Sequence, residues 1–310
     1  MHIYFIYPGD IPLLPKDAIE KLKDFGEVIT ISHKGKLADI QALQTDTEDK
    51  VLAVDPDAFE WDLDVESLGE LVKNVKAVVT SSTSYDWIKP VLLKEKGILA
   101  INCAGFSTDS VAEYAVALSM QIARRIPLHM KNNWQINWDT QPLQIRGSTV
   151  GIIGLGRIGK RIAENFQGLG ANVTYWSKSS RDDRFEYKEL DELLKSSQII
   201  IPALIENNET KGLLGNDKLD LLRKDALFIG LNRIKVIFDE DYLLKLVAEN
   251  KISGYAFEGD NAKPVSEYVG NVWPSVTVAW FTQQSLDNLM TMWVENVIAV
   301  CQGNPQSVVN

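Results

Sequence analysis

Short apolar runs alternate with amphipathic stretches along nearly the whole chain. The apolar runs predict strands at Ile3–Tyr7, Glu27–Ile31, Val51–Val54, Ala77–Thr80, Ile98–Asn102, Ala171–Trp176, Gln198–Pro202, Ala226–Leu231, Ile252–Phe257 and near Val276–Ala279. Stretches whose apolar residues recur at helical spacing predict helices at Lys16–Phe25, Val65–Asn74, Ser110–Arg125, Arg157–Leu169, Asp217–Arg223, Asp239–Glu249 and Gln283–Cys301. This alternation predicts an α/β fold built on parallel sheets.

Composition limits the classes of function. The formal net charge of −10 argues against non-specific binding to nucleic acid or to an anionic membrane. No apolar run approaches transmembrane length, and the first residues lack the basic region of a secretory signal. Cys103 and Cys301 are the only cysteines, too few for a zinc set or a disulfide framework. These features together predict a protein of the cytoplasm without a metal site.

A glycine-rich turn lies between a predicted strand and a predicted helix. Gly154, Gly156 and Gly159 have the spacing G-x-G-x-x-G. The first allows a tight turn, the second allows the backbone to approach a pyrophosphate, and the third allows the helix to pack on the strand. The helix start at Arg157 and Ile158 offers backbone N–H groups to phosphates. The arrangement predicts a Rossmann dinucleotide-binding unit, and the alternative is a glycine-rich turn without a ligand.

The end of the following strand bears on the choice of cofactor. An NAD-binding unit carries an acidic residue here that accepts the ribose 2′-OH. This chain has Ser177 in its place, with Lys178 and Arg181 beside it. Hydroxyls and cations bind a 2′-phosphate, whereas a carboxylate repels one. The sequence therefore predicts that NADP(H) is preferred, with NAD(H) as the alternative cofactor and a solvated basic loop as the alternative interpretation.

Chain length and element order predict two domains. The first third reads as a small doubly wound domain, and the amphipathic final helix is expected to return and pack on it. The predicted division is 1–101 plus 283–310 for a discontinuous flavodoxin-like domain, and 102–282 for the Rossmann domain. We expect a cleft between the two doubly wound parallel-sheet domains, where ligands bind.

Four blocks of sequence, in order, resemble the D-isomer-specific 2-hydroxyacid dehydrogenases over nearly the full length of the chain. Thr83–Asp86 resembles the family's substrate loop, although Ser84 stands where glycine is usual. Residues 102–113 resemble the hinge and the start of the long linking helix, and the glycine-rich turn is the third block. Residues 228–233, followed by 238–240, resemble a strand, a catalytic arginine and an acidic helix start, with one extra residue before Asp239.

The resemblance implies roles for particular residues. Substrate binding is implied for Thr83, Ser84, Tyr85 and Trp280, and further cofactor contacts for Thr108, Pro202, Leu231, Asn232 and Glu258. Arg233 matches the catalytic arginine, and its guanidinium suits the binding of a carboxylate and the polarisation of the adjacent carbonyl oxygen. The alternative interpretation is a surface arginine paired with Asp239.

The family's proton-donating pair is absent. Reduction of a 2-oxo acid needs a donor that titrates near neutral pH, and a histidine with a neighbouring carboxylate suits that role. Lys263 stands at the carboxylate position and Thr277 at the histidine position. The chain's histidines, His2, His33 and His129, lie outside the matching blocks and are interpreted as structural or solvated.

Two classes of function remain open. The first is an NADP(H)-preferring reductase of a small 2-oxo acid, such as glyoxylate, hydroxypyruvate or a branched analogue, whose proton comes from water, Lys263 or Tyr85. The second is a catalytically decayed dinucleotide-binding sensor or regulator on the same fold. The resemblance also implies a homodimer through residues 110–145, where Trp134 and Trp138 fit either an interface or core packing.

Overall fold

The computed structural model describes residues 1–9, 14, 16–136, 138, 141–231, 236–259 and 262–310. Its strands are β1 (His2–Tyr7), β2 (Glu27–Ser32), β3 (Lys50–Val54), β4 (Val75–Thr80), β5 (Leu99–Ile101), β6 (Thr149–Ile153), β7 (Asn172–Trp176), β8 (Glu186–Tyr187), β9 (Ile199–Pro202), β10 (Leu227–Gly230), β11 (Gly254–Glu258) and β12 (Val272–Ser275). Its helices are α1 (Lys16–Lys23), α2 (Gln41–Thr45), α3 (Pro90–Glu95), α4 (Thr108–Ala123), α5 (Ile126–Lys131), α6 (Arg157–Gly168), α7 (Leu190–Ser196), α8 (Asn216–Leu219), α9 (Glu240–Ala248) and α10 (Gln283–Cys301). Within these ranges no helix is long and apolar enough to cross a membrane.

The chain forms two compact units. Unit 1 comprises Met1–Ser107 and Gln283–Asn310, and unit 2 comprises Thr108–Thr282. The predicted division has its first boundary after residue 101. It lies later here because Cys103 is buried in the apolar core of unit 1, where Phe106 packs against it.

Unit 1 is built on a five-stranded parallel sheet with the order β2-β1-β3-β4-β5. The chain reverses its winding direction between β1 and β3, as in other doubly wound sheets of this order. Alternate strand residues are buried on opposite faces, as expected for a sheet covered on both sides. Helix α10 covers one face with Leu289, Trp293 and Val297, and the indole of Trp293 donates to the carbonyl of Val79 at 2.9 Å.

Two predicted elements of the chain are wrong. The helix over Val65–Asn74 is only a 3₁₀ turn at Val65–Ser67, because Gly69 has a φ of +90° that breaks the helical path. The last strand is β12 rather than a strand near Val276–Ala279. The backbone N–H groups of Val278 and Ala279 donate to the carboxylate of Glu258 instead of to a neighbouring strand.

Unit 2 is built on a seven-stranded parallel sheet with the order β12-β11-β10-β9-β6-β7-β8. The chain runs from β6 outward through β7 and β8, and then returns to the other side of β6 with β9. The switch point therefore lies between β6 and β9, and in such sheets ligands bind at the carboxyl ends of the strands beside this point. Both the glycine-rich turn and the loop that follows β9 begin there.

A buried polar cluster holds the amino-terminal end of the unit 1 sheet. The Lys50 side chain is fully buried, and its Nζ donates to the carbonyls of Asp46 and Glu48 at 3.1 and 2.7 Å. The Asp46 carboxylate accepts from His2 Nδ1 and from the Tyr4 hydroxyl, both at 2.9 Å. Burial by itself raises the pKa of Asp46. The hydrogen bonds from the Glu48 backbone, His2 and Tyr4, together with the Lys50 charge, outweigh it and lower that pKa to about 2.

Replacing Asp46 by asparagine is expected to lower the free energy of unfolding by about 2 kcal/mol near neutral pH. The charge stabilises the folded state above the unfolded pKa of about 3.9, and this contribution is lost as pH falls toward the folded pKa. Urea unfolding of both proteins should therefore show the gap shrinking between about pH 4 and pH 2. Asp49→Asn is the control, since Asp49 pairs with Lys76 at 3.0 Å with both side chains about half exposed. It should cost less than about 0.5 kcal/mol, and an equal cost in both variants would contradict the role of the cluster.

Candidate functional site

The turn after β6 requires glycine at two positions. Gly154 has a φ of +99°, and a Cβ there would lie 2.6 Å from the carbonyl oxygen of Ala203. A Cβ at Gly159 would lie 2.0 Å from the carbonyl oxygen of Gly154. Neither position accepts a side chain, because backbone oxygens cannot move aside as a flexible side chain can. The turn is therefore packed tightly against the loop after β9, at the switch point of the sheet.

The middle glycine of the turn has a different surrounding. Gly156 precedes helix α6 directly, is exposed, and would meet no atom within 4 Å if it carried a Cβ. Its backbone and the first N–H groups of α6 are thus open to a ligand, with exposed Arg157 and half-buried Ile158 beside them. These features fit a dinucleotide pyrophosphate at the positive end of a 12-residue helix.

The residues after β7 form a compact polar turn. Ser177 is buried, and its hydroxyl accepts from the backbone N–H of Ser180 at 3.2 Å. The Arg181 guanidinium donates to the carbonyls of Ser177 and Ser180 at 2.7 and 2.8 Å and lies 4.3 Å from the ring centroid of Tyr187. The structure thus brings Ser177 and Arg181 together and fixes the guanidinium in place.

An ion-pair network anchors this turn to helix α6. Asp182 accepts from Arg184, and Lys160 of α6 lies 2.8 Å from its carboxylate. These hydrogen bonds, first from Arg184 and then from Lys160, hold the pKa of Asp182 well below its usual range. Arg184 also pairs with Glu164 of α6 at 3.0 Å. The negative charge of Asp182 is thus neutralised by its own neighbours.

The other strand ends of unit 2 carry the remaining predicted cofactor residues. Pro202 ends β9 and is buried, and Leu231 is buried directly after β10. Thr108 is the first residue of α4 and is half-buried. Asn232 and the predicted catalytic Arg233 lie outside the described residues.

Glu258 is a buried carboxylate at the end of β11. Its Oε1 accepts from the backbone N–H groups of Val278 and Ala279, both at 2.7 Å. The Ser110 hydroxyl donates to the carbonyl of Ala279. These bonds hold the base of the 276–282 segment, which carries two predicted site residues. Glu258 therefore positions the segment at which the family's histidine is expected.

The residues at the predicted proton-relay positions, Lys263 and Thr277, differ in exposure, as does the predicted substrate-binding residue Trp280. Thr277 is half-buried, and Trp280 is 37% exposed with its ring 5.3 Å from that of Phe281. The side chain of Lys263 is exposed, and its backbone N–H donates to the Tyr268 hydroxyl at 3.1 Å. Among the described residues, no group of three or more His, Cys, Asp or Glu side chains is arranged to hold a metal ion.

The predicted substrate loop lies in unit 1 and begins shortly after the end of β4. The side chains of Thr83, Ser84 and Tyr85 are exposed, while the backbone between them is held from below. The Asn102 amide donates to the carbonyl of Thr83 at 2.7 Å, and the Trp87 indole donates to that of Ser84 at 3.2 Å. A fixed backbone with exposed hydroxyls is suited to hydrogen bonding with a polar substrate.

Two of the three histidines, His2 and His33, have polar contacts within unit 1. His2 begins β1, at the amino-terminal ends of the parallel strands, whereas the substrate loop follows the carboxyl end of β4. The His2 side chain bonds to Asp46. His33 follows β2, and its Nε2 lies 3.0 Å from the carbonyl of Lys36. His129 belongs to α5 in unit 2. The contacts of His2 and His33 fit structural positions, and the interpretation of His129 as structural or solvated stays a prediction.

Two residues beside the predicted cofactor site, Tyr187 and Glu209, are not singled out by the sequence. Tyr187 supports the Arg181 guanidinium, and Glu209 accepts from Lys178 across an ion pair of 2.7 Å. Both partners come from other parts of the chain. Neither residue can be recognised from the sequence, because a tyrosine in a short strand and a carboxylate in a loop have no distinctive spacing.

Known proteins resemble this chain in both sequence and structure. Residues 114–268 match the family model described as "D-isomer specific 2-hydroxyacid dehydrogenase, NAD binding domain". A hydroxypyruvate reductase from Blautia hydrogenotrophica is 26% identical over 259 residues, which cover 78% of this chain and 80% of that protein.

Solved structures align over the full length of the chain. An acyclic imino acid reductase, in complex with NADPH and D-Arg, is 25% identical with a TM-score of 0.81, and the alignment covers 100% of both chains. A D-isomer specific 2-hydroxyacid dehydrogenase from Lactobacillus delbrueckii ssp. bulgaricus, complexed with NAD, has a TM-score of 0.81 at 20% identity, again with 100% of both chains covered. The second likeness concerns the fold.

The matched family model spans half of the chain and includes the glycine-rich turn, the polar turn after β7 and Glu258. The fold has two parallel-sheet α/β units, with the Rossmann arrangement in unit 2. The chain therefore belongs to the D-isomer specific 2-hydroxyacid dehydrogenases, a family of oxidoreductases that use a nicotinamide dinucleotide.

Proposed function

We propose that the protein is an NADPH-preferring reductase of a small 2-oxo acid, such as glyoxylate, hydroxypyruvate or a branched analogue, with a non-standard proton relay. The observation that carries this proposal is the polar turn after β7. Its Ser177 hydroxyl stands where an NAD-binding unit has a carboxylate, and the Arg181 guanidinium is held beside it. NAD(H) is the alternative cofactor.

Particular residues of this chain would bind cofactor and substrate. The N–H groups at the start of α6 would hold the pyrophosphate, and Ser177, Lys178 and Arg181 would hold the 2′-phosphate. When bound, the dinucleotide supplies a hydride to the substrate carbon. Arg233 would bind the substrate carboxylate through its planar guanidinium, and the exposed hydroxyls of the substrate loop would bind the rest of a small polar acid.

Ser177→Asp is expected to reverse the cofactor preference. A carboxylate at this position repels a 2′-phosphate and accepts the ribose 2′-OH, so the variant should bind NADH more tightly than NADPH. Fluorescence titration of both dinucleotides into both proteins provides the measurement. Ser179→Asp is a control that adds the same charge two residues away. Equal affinities, or an NADH preference in the wild-type protein, would contradict the proposed cofactor choice.

A second candidate function is the reduction of a 2-imino acid. It is favoured by the residues at the relay positions, Lys263 and Thr277, and by the likeness to the imino acid reductase. After a hydride adds to a 2-oxo acid, an electron pair remains on oxygen as an alkoxide that needs a proton. An iminium nitrogen already carries its proton, so the same addition leaves a neutral amine. A site without the His/Glu pair is therefore better matched to an iminium substrate than to a ketone.

One assay separates these functions. NADPH consumption is measured with glyoxylate and with hydroxypyruvate, each alone and with ammonium, which forms the imine reversibly. Mass spectrometry then identifies the product. A hydroxy acid, formed at a rate that ammonium does not change, supports 2-oxo acid reduction, whereas an amino acid formed only with ammonium supports imino acid reduction. Binding of NADPH without consumption under any condition supports the non-catalytic sensor instead.

We further propose that the protein forms a homodimer through residues 110–145. Trp134, Ile136 and Trp138 are 65%, 70% and 81% exposed, which excludes core packing within this chain and leaves large apolar side chains for a partner. Trp138→Ser is expected to shift the protein toward monomer in sedimentation experiments. Trp61→Ser, at an indole 50% exposed in unit 1, is the control. A wild-type monomer would overturn the proposal.

A further inference from the structure

Lys178 already has an anionic partner in the ligand-free protein. Its Nζ lies 2.7 Å from Glu209 Oε1, and the two side chains are 68% and 65% exposed. The pair is thus solvated and can exchange partners readily. This property matters because Lys178 is one of the cations assigned above to a 2′-phosphate.

The ion pair joins the two segments that flank β6. Lys178 follows β7, and Glu209 lies in the loop after β9, while β6 lies between these strands in the sheet. The glycine-rich turn begins at the carboxyl end of β6. The pair therefore connects the segments after β7 and β9, which lie on either side of the glycine-rich turn.

The position of Glu209 is set by its own loop. The Asn207 side-chain oxygen accepts from the backbone N–H groups of Glu209 and Thr210 at 2.9 and 3.0 Å. The Thr210 hydroxyl in turn donates to the carbonyl of Ile205 at 2.6 Å. The loop thus holds the backbone of Glu209 in place, and from there its carboxylate reaches Lys178.

The neighbouring cation is held differently. Arg181 is bound to the carbonyls of Ser177 and Ser180 and packs on the ring of Tyr187. Its guanidinium is thus held by contacts within unit 2. The ammonium of Lys178 is held instead by a solvated ion pair, so it is the cation of this turn that can exchange its partner more readily.

We propose that Glu209 is a specificity-determining residue, which competes with the 2′-phosphate of NADPH for Lys178 and so narrows the preference for NADPH over NADH. The proposal rests on the proposed role of Lys178 in cofactor binding. A 2′-phosphate must draw Lys178 away from Glu209 or share it, and it also meets the repulsion of the carboxylate. NADH has no phosphate there and experiences neither effect.

The test compares four variants by titration with NADPH and with NADH. Glu209→Gln removes the competing charge, and Glu206→Gln is the matched control. Glu206 carries the same charge in the same loop, and no ion pair of its side chain is found in the described part of the chain. Lys178→Gln and the Glu209→Gln, Lys178→Gln double variant complete a cycle that isolates the pair.

Glu209→Gln is expected to raise the ratio of NADPH to NADH affinity by about two- to five-fold, the range of an exposed ion pair. Glu206→Gln should change the ratio less, and the gain should become smaller when Lys178 is also replaced, because only the repulsion between Glu209 and the phosphate then remains. An equal change in both glutamine variants, or a gain that is as large without Lys178 as with it, would overturn the proposal. A wild-type preference for NADH would refute only the proposed cofactor choice, because the shift caused by Glu209 is read as a ratio between variants.

Discussion

Arg233→Ala is expected to weaken the binding of oxamate, a 2-oxo acid analogue, by about a hundred-fold or more. A charge-assisted, bidentate hydrogen-bond pair is lost, and the substrate carboxylate then lacks its main partner. Affinity for the dinucleotide should stay within a few-fold of the wild-type value. Arg233→Lys should also bind poorly, because an ammonium cannot form the planar fork. Calorimetry with oxamate on the cofactor-bound protein measures both effects.

An arginine that precedes β10 in the sequence provides the control. Arg223 precedes β10, whereas Arg233 follows it in the sequence, and Arg223 is paired with Asp225 at 2.7 Å. Arg223→Ala should leave oxamate binding unchanged, because parallel strands place ligands at their carboxyl ends. Unchanged oxamate binding in Arg233→Ala would refute the role of Arg233 and favour the interpretation of a surface arginine paired with Asp239.

The glycine-rich turn after β6 is the part of the molecule that the sequence predicts best. Gly154 and Gly159 are recognisable because backbone oxygens lie within 2.6 Å of where their Cβ atoms would be, so no other residue fits. Such a constraint acts over a few residues and leaves a fixed spacing in the sequence. The parallel sheets are predicted for a similar reason, since strands buried on both faces are continuously apolar.

The contacts between distant segments cannot be read from spacing. Val65, Leu68 and Val72 are buried and their pattern resembles a helix, but the left-handed Gly69 turns the chain between them. The pairing of Lys178 with Glu209 depends on which strands flank β6, and only the folded sheet establishes that order. In the same way, the buried carboxylate of Glu258 accepts hydrogen bonds from the backbone N–H groups of Val278 and Ala279. These residues therefore do not form the strand that the sequence predicts there.

The second large effect expected concerns the proton relay. With ordinary 2-oxo acids, turnover should lie about two to four powers of ten below that of family members that carry the His/Glu pair. The rate should show no transition near pH 6.5, roughly where an unperturbed histidine titrates. Steady-state rates of NADPH oxidation across pH give both results. High turnover that survives Lys263→Ala would show that the donor lies elsewhere.

Two sets of variants distinguish a rebuilt relay from a lost one. If the lysine donates the proton, Lys263→Ala removes most of the activity. If the relay is lost, Lys263→Ala has no effect, and the Thr277→His, Lys263→Glu double variant gains activity with a 2-oxo acid. Thr277 suits this test because Glu258 fixes its segment through two hydrogen bonds of 2.7 Å. A histidine placed there inherits a held backbone rather than a free loop.

The substrate's own chemistry then provides the sharpest comparison. The rebuilt pair should accelerate reduction of hydroxypyruvate alone, because the alkoxide formed from a ketone needs an external proton. It should not accelerate reduction in the presence of ammonium to the same extent, since the iminium form brings its proton with it. Equal acceleration of both reactions would mean that the histidine improves binding or orientation instead. A gain confined to the ketone would show that the His/Glu pair favours a 2-oxo acid over a 2-imino acid as the substrate. The residues at positions 263 and 277 would then determine which of these two substrates the protein reduces.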